Sequence, residues 1–501
     1  MVVERCIRRF VIGIVLGLAA SVCIPCAGNA RPADRRQNPP GSASFQIWHY
    51  KVNRTVLEEP WVLLIRGKNV ALYNLADDTD QMEDRSGERP DVVARLKRHL
   101  LEWEQKLAVD NGHWKRHTID DSSRGADGVR LGDANGDGLM DITTAWEEGG
   151  VVRVYINPGP KRACDLWPAV TVGEVKRPED AVFADLDGDG AMDVVSSCEG
   201  RTRTVYVHWA PKEPSKYLNP AAWRTDAFAA TAGRQMWMFA LPLQIDGRGG
   251  IDVVVGSKAE KGQRGEIGWL QSPPQGDPRR VEAWKYHFLH AVGWTMSLEP
   301  DDLDGDGDID VVVSDQAGAG RGIFWLENPG ADASWAGAPW TAHRILAARA
   351  GVNFLTVTDL ERDGKSDILC AGAPPALSWL RRRPGAGDNK EGVAAGWEMR
   401  RIRTPEGLGC KAVRVADLNL DDKPDIVTTL GGGGDRPSVY WMSYRQSVTE
   451  EEWLTHEISG PFGQKFDLIQ LLDLDHDGDL DVITCEEDYN LGVFWYENPT
   501  R

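Results

Sequence analysis

The chain has 501 residues, 42% hydrophobic and 27% charged, with 57 Lys+Arg against 76 Asp+Glu and a formal charge of −19. That length exceeds one small domain and suits two to four domains or one large repeat array, and the composition is neither disordered nor fibrous. The acidic excess argues against nucleic acid or anionic membranes as partners, because affinity for both comes from Lys and Arg, and favours cations. The 53 Gly and 20 Trp point to tight turns and buried aromatic anchors, and away from a mainly helical fold.

Residues 1–9 carry Arg5, Arg8 and Arg9, Phe10 to Ala20 is apolar, and the small-residue stretch Cys26 to Ala30 follows. This reads as a secretory signal cleaved after Ala30, with an uncleaved anchor as the alternative. The expected location is therefore secreted, periplasmic or at the cell surface, with no membrane span once the signal is removed. Of eight cysteines, Cys6, Cys23 and Cys26 lie in the signal, leaving Cys164, Cys198, Cys370, Cys410 and Cys485. An odd number at irregular spacing is not a disulfide framework. Residues 31–44 read as a linker.

Residues 45–110 differ in character. Trp61 to Asp78 (WVLLIRGKNVALYNLADD) reads as a β-hairpin. Residues 90–107 read as an amphipathic helix, with Val93, Leu96, Leu100, Trp103 and Leu107 on one face and Pro90 near its start. This hairpin and helix resemble the C-terminal subdomain of sulfatases, with Thr79 where that family has Pro. The family's nucleophile motif, Cys/Ser-x-Pro-x-Arg, has one near match, Cys23-Ile24-Pro25-Cys26-Ala27, which lacks the Arg. The resemblance implies a sulfatase-related fragment that is catalytically incomplete.

From Trp114 onward one motif recurs seven times, Asp-x-Asp-x-Asp-Gly-x-x-Asp followed by β-branched residues, with starts separated by 52, 59, 58, 57, 58 and 56 residues. Clean copies start at Asp133, Asp185, Asp302 and Asp473; modified ones at Asp359 and Asp417; a degraded one, QIDGRGGID, at Gln244. Upstream of each loop lies a strand-like Trp-x-x-His-x-Ile segment, as at Trp114, Trp340 and Trp453, and downstream an aromatic strand that often ends in Asn-Pro, as at Asn157, Asn328 and Asn498. About four short strands per unit of this length is the signature of propeller blades, so residues 114–501 are expected to form an all-β, seven-bladed β-propeller behind the small α+β segment. The chain ends on the aromatic third strand and the array begins with an orphan outer strand. Residues 114–120 are therefore expected to complete the last blade and remove two exposed edges.

Each loop supplies carboxylates at positions 1, 3 and 5, a Gly at position 6 for the bend, a position-7 carbonyl and a position-9 Asp. Such hard oxygen donors select Ca²⁺, and the lack of Glu at position 12 with the β-branched run that follows disfavours a helix–loop–helix site. The pattern resembles FG-GAP/VCBS repeats, with the calcium loops of integrin α-chain propellers. On that resemblance the Ca²⁺ ligands are Asp133, Asn135, Asp137 and Asp141 in the first blade, and Asp185, Asp187, Asp189 and Asp193 in the second. In the fourth they are Asp302, Asp304, Asp306 and Asp310, and in the fifth Asp359, Glu361, Asp363 and Asp367. The sixth offers Asp417, Asn419, Asp421 and Asp425, with Asp422 in place of Gly, and the seventh Asp473, Asp475, Asp477 and Asp481. The ions, about five or six, are expected to be structural. The third loop is expected to hold none, with the Arg248 guanidinium in the ion's place.

The recurring Trp and His of the outer strands, including His117, His343 and His456, read as packing residues, and no catalytic residue is assigned. A ligand site is expected at the mouth of the central channel. The residues six places before each loop are Asp127, Glu179, Met238, Met296, Asn353, Lys411 and Asp467. With Trp237, Trp294 and Lys465 they suit a polar–aromatic pocket for a sugar. The expected function is an exported, calcium-stabilised binding module for carbohydrate or protein partners. The alternative is a sugar lyase, because the Trp-x-x-His-x-Ile and Trp-x-Glu-Asn-Pro style also resembles the propeller domain of aldos-2-ulose dehydratase.

Overall fold

A computed structural model describes residues 45–50, 53–67, 69–260, 263–372, 375–383, 392–405, 408–431 and 436–501. The expected signal and linker, with Cys6, Cys23 and Cys26, lie outside the described residues. The chain divides into two compact units after Asn111.

In the first unit, four strands, β1 (Phe45–Tyr50), β2 (Asn53–Glu58), β3 (Trp61–Arg66) and β4 (Asn69–Asn74), form an antiparallel meander. The expected hairpin is β3 and β4. Helix α1 (Pro90–Asp110) starts with Pro at its first turn, where a missing N–H costs nothing. Val92, Leu96 and Leu100 pack on Val56, Leu63, Ile65 and Leu72. The most buried stripe also contains Glu104 and Ala108, so the helix is rotated from the expected face, and Val93 and Trp103 flank the core. The cause is an ion pair inside the unit. Glu104 lies 3.4 Å from Arg54 Nη1, the two side chains being 0% and 2% exposed.

The second unit holds seven four-stranded antiparallel sheets. Their inner strands are Ala126–Gly132, Pro178–Ala184, Met236–Leu243, Thr295–Asp301, Val352–Thr358, Cys410–Ala416 and Phe466–Leu472. Each inner strand packs on the next, and the seventh packs on the first, which closes the ring of a β-propeller. Closure is completed by β5 (Lys115–Asp120), which pairs with the last strand, Gly492–Glu497, with Trp495 opposite His117. The orphan outer strand thus completes the seventh sheet.

The period of the sequence is the period of the packing. Trp114, Trp167, Trp223, Trp284, Trp340, Trp397 and Trp453, one before or at each outer strand, are all buried. Four outer-strand histidines stack on the third-strand Trp beside them: His117 on Trp495, His287 on Trp269, His343 on Trp325 and His456 on Trp441. All five cysteines among the described residues are free thiols, and only Cys164 is exposed. No helix among the described residues is long and apolar enough to cross a membrane.

Candidate functional site

The acidic loops lie at one end of the inner strands. In each intact or modified loop the first-position Asp accepts the sixth-position N–H at 2.8–3.1 Å, so the turn closes on its own carboxylate. In the sixth loop Asp422 adopts φ 62°, the left-handed conformation that Gly takes elsewhere, and the turn closes in the same way. Asp422 therefore strains this loop without preventing its shape.

The ninth-position Asp is a staple. In six loops one oxygen accepts the second-position N–H, and in the fifth Asp367 accepts the Trp379 indole N–H instead (3.0 Å). In six loops the other oxygen accepts an N–H at the end of the third strand, as in Asp141 to Asn157 (2.7 Å) and Asp481 to Asn498 (3.0 Å). The Asn-Pro signature belongs to the same joint. Asn157, Asn328 and Asn498 donate through Nδ2 to the carbonyls of Met140, Ile309 and Leu480, each the eighth residue of its loop. The staple survives in the degraded third loop, where Asp252 accepts from Ile245 (3.0 Å) and Ser272 (2.7 Å). Arg248 does not replace an ion there. Its guanidinium reaches Asp332 (2.8 Å) and lies over Trp335, while the Gln244 amide ties the loop together by accepting from Gly247 and donating to Gly250.

Burial pushes the staple carboxyls up, to about 6 for Asp141, Asp310 and Asp367, to about 7 for Asp252 and Asp425, and to about 8 for Asp193 and Asp481. Nearby loop carboxylates add to the rise, and a cation among them would reverse it. Three loops bring three carboxylate oxygens within 4.8 Å of one another: Asp185, Asp187 and Asp193; Asp302, Asp304 and Asp306; Asp473, Asp475 and Asp481. Elsewhere basic side chains intervene. Arg381 and Arg383 both hold Glu361, and Arg383 and Lys365 lie 3.1 and 3.3 Å from Asp363. Lys423 lies 3.2 Å from Asp421. In the first loop Asn135 donates to Asp137 (3.0 Å). Arg279 reaches Asp187 and Asp189 of the second loop, whereas the carboxylates of the first, fourth and seventh loops meet no basic side chain among the described residues.

The opposite end of the inner strands is the axial mouth. Asp127, Glu179, Met296, Asn353, Lys411 and Asp467 each occupy the second position of an inner strand, and Met238 the third. All seven inner strands break register at or beside this point, for example between Pro178 and Asp180 and between Cys410 and Val413. A bulge re-aims the side chain it carries and is common next to binding sites.

Side chains from successive sheets then link around the mouth. Arg177 bridges Glu147 (2.5 Å) and Glu199 (2.9 Å), and Lys258 pairs with Glu199 while lying over the Trp294 ring at 4.9 Å. Gln316 donates to Asn353 (2.6 Å), which donates to the Cys410 carbonyl (2.7 Å). Lys411 pairs with Asp467, and Lys465 with Glu487. The sequence reading missed Glu147, Glu199, Lys258, Gln316 and Glu487. Each is the sixth residue after a ninth-position Asp, so a constant spacing marks them. They sit at the end of the second strand, opposite the start of the inner one. Trp237 is a correction: it is fully buried in the core between the second and third sheets and donates to the Thr231 carbonyl at 3.1 Å.

Two groups in the mouth have perturbed protonation. Burial, with Asp127 close by, pushes the Glu179 carboxyl well up. Burial, with Lys465 close by, pushes the Lys411 ammonium down to about 7. Glu179 is 9% exposed and has no hydrogen bond or ion pair among the described residues. Its oxygen lies within 4.8 Å of those of Asp127 and Glu147. The Trp294 indole N–H is buried and likewise unpartnered among the described residues.

Residues 133–196 and 302–370 match the FG-GAP-like repeat family. The class is therefore a β-propeller, two stretches of which match FG-GAP-like repeats. No curated protein matches the chain in sequence. Among solved structures, it is similar to a lectin from Agrocybe aegerita described as recognising non-reducing terminal N-acetylglucosamine, at 13% identity over 73% of this chain and 86% of that one, with a TM-score of 0.37. It is also similar to the β-propeller domain of Cps50 (Swd1) from Myceliophteria thermophila, at 10% identity, 76% and 99% coverage and a TM-score of 0.44. The V. cholerae biofilm matrix protein Bap1 aligns at 13% identity, 77% and 90% coverage and a TM-score of 0.40.

Proposed function

We propose that this chain is an exported binding module in which Ca²⁺ ions brace the acidic loops at one end of the propeller and the axial mouth at the other end binds a carbohydrate. The observation that carries the reading is Glu179. A buried carboxylate with no hydrogen-bond partner costs folding free energy, and such costs persist where a ligand repays them. Sugar hydroxyls are donors suited to Glu179 and Asp127, and an aromatic ring at the rim, such as Trp294, suits a sugar face. Export follows from the leader at residues 1–30, and a bound protein in place of a glycan is an outcome of the same test. The N-terminal unit is proposed to be a sulfatase-related fragment without sulfatase activity.

The test is a glycan array followed by calorimetry on the full chain and on Glu179→Gln and Trp294→Ala. A hit lost in both variants supports the reading, and a hit unchanged in both places the ligand elsewhere. One observation favours a second reading, a sugar lyase. Glu179 is driven toward its acid form and Lys411 toward its free amine, and such a divergent pair suits an acid and a base in proton transfer. Release of an unsaturated sugar from an array hit, lost in Lys411→Met, would favour that reading over simple binding.

A further inference from the structure

We propose that His117, Cys164 and Glu497 form a site for a borderline transition-metal cation, Zn²⁺ being the reference ion, that clips the ring shut. The three donor atoms lie within 4.8 Å of one another, with His117 Nε2 2.6 Å from Glu497 Oε2 and 3.7 Å from Cys164 Sγ. They come from three places that closure must join. His117 is on β5, Glu497 on the last strand, and Cys164 on the connection between the third and fourth strands of the first sheet. The donors are fixed by packing. The His117 ring stacks on Trp495 at 4.5 Å, and the carbonyl of Ala163, next to Cys164, accepts both the Trp167 and the Trp495 indole N–H, at 3.0 and 3.1 Å.

Thiolate, imidazole and carboxylate together are a zinc donor set, unlike the all-oxygen loops at the other sites. With Zn–S of about 2.3 Å and Zn–N of about 2.05 Å, a tetrahedral S···N edge is about 3.6 Å, close to the separation observed; the N···O edge needs about 3.3 Å, so Glu497 must move outward by under about 1 Å. The site is specific to the closing sheet. The other three stacked histidines meet Gln271, Glu327 and Ser443, with no cysteine beside them among the described residues. Lys115 Nζ also lies 3.0 Å from Glu497 and competes for it, but its side chain is half exposed and free to swing away.

The test is a Co²⁺ titration of the full chain in Ca²⁺-containing buffer, read by the sulfur-to-metal charge-transfer band, with Cys164→Ser and Lys115→Ala alongside. Cys164 is exposed, so its replacement leaves the fold intact. The expected result is a band that saturates at about one equivalent, is abolished by Zn²⁺, is absent in Cys164→Ser and saturates at lower Co²⁺ in Lys115→Ala. Zn²⁺ should bind Cys164→Ser at least about tenfold more weakly and raise the unfolding midpoint of the parent alone. No band, or a band that survives in Cys164→Ser, overturns the assignment.

Discussion

Removing the Ca²⁺ proposed for the acidic loops should invert the pH dependence of the ring's stability. In the metal-free protein burial raises the staple carboxyls, to about 6 for Asp310 and about 8 for Asp193 and Asp481. An unfolded Asp titrates near 3.9. Between about pH 4 and pH 8 the folded state therefore binds more protons than the unfolded one, so stability is greatest at the acid end and falls as pH rises through the raised values. Asp310 sets the scale, because its loop meets no basic side chain among the described residues. A rise of about two units corresponds to at most about 3 kcal/mol. Partial access of water to the loop screens that to roughly 1 kcal/mol. With Ca²⁺ bound the order reverses: protons compete with the ion for the carboxylates, and stability rises with pH. Free Ca²⁺ at 100 times its dissociation constant adds about 2.7 kcal/mol per site. The assay is urea unfolding followed by Trp fluorescence between about pH 5 and pH 8, in EGTA and in excess Ca²⁺. Curves that coincide with and without Ca²⁺, or midpoints in EGTA that climb with pH, would refute the reasoning.

Glu179→Gln should stabilise the ring by roughly 1–2 kcal/mol while abolishing the proposed ligand binding, because the parent must either protonate this carboxyl or bury its charge unpaired on folding; a loss of stability in urea would show that Glu179 is already satisfied. Asp422→Gly relieves a left-handed non-Gly residue and should add about 1 kcal/mol, read as a shift of about 2 °C in the calorimetric midpoint. In the first unit Glu104→Ala should cost about 1.5–3 kcal/mol by removing a charge-assisted contact to Arg54, whereas Arg54→Met with Glu104→Leu should come within about 1 kcal/mol of the parent or exceed it. Equal losses in the two variants would mean that the pair contributes net stability.

The four-stranded sheets, the inner strands and the closure by β5 were legible because each follows from a repeated hydrogen-bonding need. A turn that closes on its first Asp must place that Asp at a fixed distance from the Gly, and a staple from the ninth residue must meet the end of the third strand. Repeats of this kind leave a period in the sequence. What was not legible were contacts between repeats. Arg279 lies in one repeat and neutralises the loop of another, about ninety residues earlier. Arg381 and Arg383 hold Glu361 from the third strand of the same sheet, and nothing local to the loop announces them. Trp237 was misplaced for a related reason. It sits one residue before Met238 at the mouth, and the bulge between Trp237 and Phe239 decides which side chain turns toward the core. The helix face was misread because apolar periodicity cannot register a Glu104 that is buried by an ion pair.

The two ends of the inner strands are built under different constraints. At the loop end each carboxylate satisfies backbone N–H groups of its own turn, so its identity is fixed by the backbone wherever the turn recurs. At the mouth the break in register frees the side chain from any ladder requirement, and seven sheets supply Asp, Glu, two Met, Asn, Lys and Asp at equivalent positions. Variation there costs the fold little, because the rim is tied by side chains that differ from sheet to sheet. Among the described residues the rim still leaves the Glu179 carboxylate, with Asp127 beside it, unanswered. In a molecule that pairs its other buried rim acids with Arg177, Lys258, Lys411 or Lys465, that exception is where the proposed ligand would supply the missing donor.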